Sequence, residues 1–230
     1  MIAIQKELKI LYEKYRASDF LEYYKKAVKE SASVGYSKGL GFFAGLYEPS
    51  YVTEMRVVNH TVGRKIKNPE KGFDYKYYFD GEGRVMLSEK YIENTLSYLN
   101  FYFYHGQTCE FICYNLRGRC ITLLSSTAYD GCGRPLRHIE AETEGEDIAD
   151  TAFYEEQLFR YENDTVFITE NSYRNDSEQF KWLDAISTVM LTTTYMMIKN
   201  NTLFYLNGKG ETEDSYPLRF KLNDGKKIVL

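Results

Sequence analysis

The chain lacks a basic excess: 29 Lys and Arg stand against 33 Asp and Glu, a net charge of −4, with a pI near 5.6. A protein that neutralises many phosphates needs the opposite balance, so general nucleic-acid binding is disfavoured. No segment approaches the roughly 18 consecutive apolar residues of a membrane-spanning helix. The residues from Met1 to Glu7 show no basic stretch leading into an apolar one, so no secretory signal is expected. These absences predict a soluble, cytoplasmic protein.

Chemistry-bearing motifs are missing as well. Cys109, Cys113, Cys120 and Cys132 lack the paired C-x-x-C spacing of a zinc site. In a reducing compartment they read as small buried hydrophobes. If residues 115–118 form a hairpin turn, however, Cys113 and Cys120 lie near one another on adjacent strands, which leaves a disulfide or a metal site open there. His60, His105 and His138 have no second histidine or cysteine at ligand spacing. No G-x-S-x-G distinguishes Ser125 or Ser126 as a nucleophile. The glycines at 35, 39, 41 and 45 match neither a phosphate-binding loop nor a dinucleotide fingerprint. No catalytic residue, metal or cofactor is therefore assigned, and a non-enzymatic protein is expected.

What the chain has in plenty is tyrosine: 22 Tyr and 14 Phe against a single Trp. Tyrosine suits half-buried sheets, where the ring packs and the hydroxyl reaches water, and it is also enriched in binding surfaces. The length of 230 residues suffices for a sizeable core, and one domain over 1–230 is expected.

Ile4, Leu8, Leu11 and Tyr15 recur at spacings of four, three and four, which predicts an amphipathic helix. Asp19, with Glu22 three residues on, caps a second helix whose stripe is Phe20, Tyr24, Ala27 and Val28. These helices occupy 1–33 and need a sheet face to cover. Residues 34–49 read as a loop or irregular edge strand, and the basic stretch 64–72 as a solvated loop. From residue 50 onward short strand-like runs follow one another at hairpin spacing. Phe101 to Tyr104 and Phe111 to Tyr114 are apolar on both faces and read as central strands. Phe153 to Tyr161 and Val166 to Thr169 pair about Asn163-Asp164. Residues 176–190 carry helical spacing before a strand ending at Ile198, and Leu203 to Leu206 pairs with Leu218 to Leu222 about Asn207. Residues 223–226 suggest a last hairpin. The fold class predicted is α+β: N-terminal amphipathic helices, then a large antiparallel β-meander over 50–230, forming a curved sheet or partial barrel.

One turn recurs. Phe79-Asp80-Gly81-Glu82-Gly83-Arg84 and Tyr129-Asp130-Gly131-Cys132-Gly133-Arg134 each end an aromatic run in Asp-Gly-x-Gly, with Arg opening the next strand, and Asn207-Gly208-Lys209-Gly210 is a partial third copy. The Asp or Asn bonds the amide two residues on, both glycines are expected at positive φ, and the Arg is expected across an aromatic ring of the neighbouring strand. The motif resembles the Tyr-Asp-x-x-Gly-Arg core of the YD repeats of Rhs-type shells. The likeness covers about twenty residues, with copies fifty apart in place of a long array, and implies the hairpin without the shell. In style the chain also resembles immunity proteins of bacterial polymorphic toxin systems, which bind and block a cognate toxin.

The acidic segment is the candidate surface. Glu140, Glu142 and Glu144 alternate, and Glu146, Asp147, Asp150 and nearby Tyr154 extend the stretch. On a strand the first three carboxylates share a face that a basic protein partner or a divalent cation could use. No Asp-x-Asp-x-Asp-Gly pattern accompanies them, and such runs are most often solvated loops or edge guards. The function expected is protein binding, with a basic partner, possession of an immunity-type role, and no nucleic acid or membrane. The alternatives are a curved sheet enclosing a small apolar ligand, and an enzyme without a recognisable motif.

Overall fold

A computed structural model describes residues 3–39, 64–143, 153–175, 188–200, 202–217, 221–223 and 226–228. Helices α1 (Ala3–Tyr15) and α2 (Phe20–Glu30) precede the strands. In chain order these are β1 (Ser33–Lys38), β2 (Arg64–Lys65), β3 (Tyr75–Phe79), β4 (Val85–Ile92), β5 (Thr95–His105), β6 (Thr108–Asn115), β7 (Cys120–Tyr129) and β8 (Pro135–Glu142). There follow β9 (Phe153–Glu162), β10 (Thr165–Asn175), β11 (Thr188–Lys199), β12 (Thr202–Leu206), β13 (Thr212–Pro217), β14 (Lys221–Asn223) and β15 (Lys226–Ile228).

Thirteen strands form one open antiparallel sheet in which β3 to β13 lie side by side in chain order, with β1 and then β2 beyond β3. The expected α+β meander is thus present. Strands β14 and β15 form a separate hairpin. Of the described residues, no helix is long and apolar enough to cross a membrane.

Both helices lie on one face of the sheet, and the sequence explains the docking. Asp19 accepts the amides of Leu21 and Glu22, which closes the start of α2. That cap sets Phe20 against Tyr114, ring centroids 4.3 Å apart, while Tyr15 of α1 stacks on Phe103 at 4.7 Å. Ile4, Leu8, Leu11 and Tyr12 join Leu99, Phe101, Ile112, Ile121 and Leu124 in one core. Each such side chain contributes about 1.5–3 kcal/mol on burial. Val28, placed on the α2 stripe by spacing, is exposed.

Polar locks fasten the helices. The Glu89 carboxylate, buried beneath α2, accepts hydroxyls from Tyr24 (2.9 Å), Tyr78 (2.7 Å) and Tyr91 (2.6 Å). Burial first, and then the hydrogen bond to Glu89 and its charge, raise the pKa of all three phenols, so they remain donors. Glu110 takes Lys14 and Tyr15, and Arg137 bridges Glu7 of α1 to Glu156 of β9.

Four expectations need correction. Residues 64–65 pair with β1, so part of the basic stretch is strand and β1 has a partner on each side. Glu140 and Glu142, read as the start of an acidic surface segment, lie on β8, an interior strand between β7 and β9. The partner of Leu203 to Leu206 is 212–217, not 218–222, because the turn at Asn207 is tight. Residues 188–190 open β11, while 176–187 lie outside the described residues, as do residues 50–63, where the strand-like runs are expected to begin.

Candidate functional site

The recurring turn is architectural. In each full copy the Asp Oδ1 accepts the amides two and four residues on, and its Oδ2 accepts the Arg Nε, at 2.8 Å for Asp80–Arg84 and 2.7 Å for Asp130–Arg134. Asn207 repeats the backbone pattern. Only the second glycine is at positive φ (Gly83 79°, Gly133 74°, Gly210 82°), and each of these hairpins has a register shift. This is a type I turn closed by a left-handed residue, in which the first glycine needs no special φ. Asp80 and Asp130 are consumed by their own turns.

Register and burial divide the sheet into two faces. On the face away from the helices, β7 to β10 carry a row of buried polar side chains. His138 (0% exposed) takes Thr127 at Nδ1 (2.8 Å) and Glu140 at Nε2 (3.0 Å). Glu140 stands opposite Glu155, and Gln157 stands opposite both His138 and Glu170. Gln157 Nε2 donates to Glu155 at 2.5 Å and to Glu170 at 3.3 Å. Glu155 is 3% exposed. Burial first, then the charges of Glu140 and Glu170, pushes its carboxyl up to about 9. Ser125 Oγ and Gln157 Oε1 are buried in this row without a hydrogen-bond partner.

On the helix face the covering ends near β9. Beyond it, Leu158 and Tyr195 are 41% and 43% exposed. With Phe167, Met197 and Leu206 they line a groove of about 510 Å³ that the turn at Asn207 also borders. Its charged member, Arg160, lies 4.3 Å over the Phe167 ring and pairs with Glu162. A half-open trough of apolar side chains with one cation can hold another molecule by contact.

Of the residues proposed from sequence, Glu140 is buried against His138, Tyr154 is buried in the helix-side core, and Glu142 is exposed at the end of β8. Glu144, Glu146, Asp147 and Asp150 lie outside the described residues, as does His60. Glu140 and Glu142 do share a face, as alternation requires. His105 sits at the end of β5 beside Glu110. None of the four cysteines is in a disulfide; Cys113 stands opposite Leu123 and Cys120 opposite Asn115, so the two do not face each other. Cys132 is exposed, contrary to the buried role expected of it. Among the described residues no group of three or more His, Cys, Asp or Glu is arranged to hold a metal. The groove escaped sequence reading because its walls come from β9 to β12, and only the i, i+2 pairs His138–Glu140 and Glu155–Gln157 hinted at the polar row.

No family model, no curated protein and no solved structure matches the chain.

Proposed function

We propose that this protein is a non-enzymatic binding module that receives an apolar segment of a basic protein partner in the groove over β9 to β12. The observation that carries this reading is the pairing of exposed Leu158 and Tyr195 with Phe167 and Met197 along one trough. Apolar and aromatic side chains left at a surface in one patch are what partner-binding surfaces are made of. The net charge of −4 supplies long-range attraction for a basic partner. An immunity-type inhibitor is the specific form proposed, acting in the cytoplasm, where four cysteines outside any disulfide are at home.

The test is a calorimetric titration with the purified product of the gene beside its own, at low and high salt. Binding that weakens with salt, and that falls at least about tenfold in Leu158→Arg and Tyr195→Arg, supports the reading. Binding indifferent to both substitutions overturns it. The groove's volume also suits a small apolar ligand, within the roughly 300–1,000 Å³ common for such sites. In that case an aliphatic probe, not a protein, would be displaced from Leu158→Arg.

A further inference from the structure

The polar row behind the groove sits on the same strands that form the groove's wall, yet none of its members reaches the groove. Its composition is unusual for a buried sheet face. Glu140 and Glu155 are directly opposed, and Glu170 is one strand further on, beside Gln157. Like charges directly opposite destabilise a sheet, and an ionised carboxylate at this depth costs far more than at a surface. The other ionisable groups on this face, among the described side chains, include His138 and Glu142 on β8, Tyr129 on β7 and Tyr161 on β9. The flanking strands contribute Ser125 and Thr127 from β7, and Thr192 and Thr194 by register from β11.

Ser125 Oγ and Gln157 Oε1 are buried in the row without a hydrogen-bond partner, so its polar atoms are not all satisfied as they stand. Ionised carboxylates only accept, so two of them cannot bond each other; a protonated Glu155 carboxyl can donate to Glu170. Among the described residues no such group is arranged to hold a metal, and the ligand that lets two carboxyls bond each other is the proton.

We propose that Glu140, Glu155 and Glu170 form a proton-operated clasp across β8, β9 and β10, closed when a proton is shared between carboxyls and loosened when that proton leaves to solvent. In the closed state the Glu155 carboxyl donates to Glu170 while Gln157 Nε2 donates to both. Loss of the proton leaves two carboxylates facing each other across one strand gap. The strands then part locally, and β5 and β6, whose buried faces carry Phe101, Tyr102, Phe111 and Ile112, do not. This inference is independent of what the groove binds.

Hydrogen exchange followed by mass spectrometry tests it on the full chain, with rates corrected for the intrinsic pH dependence of exchange. Peptides from β9 and β10 are expected to exchange about tenfold faster or more at about pH 9 than at about pH 6, the factor for one proton equilibrium moved by one unit. Peptides from β5 and β6 are expected to be unchanged, and Glu155→Gln to abolish the difference. Equal protection at both pH values, or the same acceleration in Glu155→Gln, overturns the clasp. Should that variant fail to fold, carbon NMR of labelled glutamate carboxyls in the unaltered protein decides. One carboxyl still protonated at neutral pH supports the clasp; all of them ionised contradicts it.

Discussion

Tyr161 carries the Arg134 guanidinium 4.6 Å above its ring and donates its hydroxyl to the carbonyl of Pro135, the next residue, at 2.7 Å. Tyr104 treats Arg84 and Val85 in the same way, at 4.7 and 3.0 Å. One tyrosine from a neighbouring strand thus holds both the side chain and the backbone that leave each turn. Tyr161→Phe removes only the hydroxyl and is expected to cost about 1 kcal/mol in urea unfolding. Arg134→Ala is expected to destabilise further, and a double-mutant cycle between the two should show positive coupling. Strict additivity would mean that the hydroxyl and the Arg134 side chain act separately.

Gly83 and Gly81 should behave differently although they sit in one turn. Gly83→Ala forces a side chain to φ 79° and is expected to cost about 1–2 kcal/mol, even though nothing lies within 4 Å of the added carbon. Gly81→Ala meets neither strain nor neighbours and should be close to neutral. Thermal unfolding of the pair reads this directly.

Glu89 gathers three tyrosine hydroxyls beneath α2. Glu89→Gln keeps the volume but replaces an acceptor-only carboxylate with an amide, and the loss expected is about 1.5–3 kcal/mol. Because Tyr24 belongs to α2, amide exchange there should accelerate more than in β6. Uniform acceleration would place Glu89 in the general core and not at the helix lock.

Glu155 predicts the sign of a pH dependence. Its folded carboxyl is raised to about 9, while an unfolded one ionises near 4.5. The folded state therefore binds this proton more tightly, and its stabilising contribution, full below the unfolded value, is lost as pH rises towards the folded one. The slope from this one group is at most about 1.4 kcal/mol per pH unit. Chemical denaturation across that interval should show a decline in wild type that flattens in Glu155→Gln. A stability that rises with pH in both would contradict this assignment.

The helices and most hairpins were legible because their signals are local. The spacing of Ile4, Leu8, Leu11 and Tyr15 marks α1, Asp19 marks the α2 cap, and Asp-Gly-x-Gly-Arg marks two turns together with the stacking of each Arg on a tyrosine. The interior position of β8 was not legible: Glu140 looks like surface until its cross-strand neighbours Ser125 and Glu155 are known, and register is a non-local property. Leu158, Phe167 and Tyr195 belong to three different strands, so no window of sequence contains the groove.

The central claim is that the groove over β9 to β12 receives a partner's apolar segment, and a hydrogen-exchange footprint of the complex tests it most directly. Binding of the neighbouring gene product is expected to slow exchange in residues 158–160, 167–169, 195–197 and 206–210, the segments that line the groove. Protection confined to the outer surfaces of α1 and α2, with those four segments unchanged, would contradict the account.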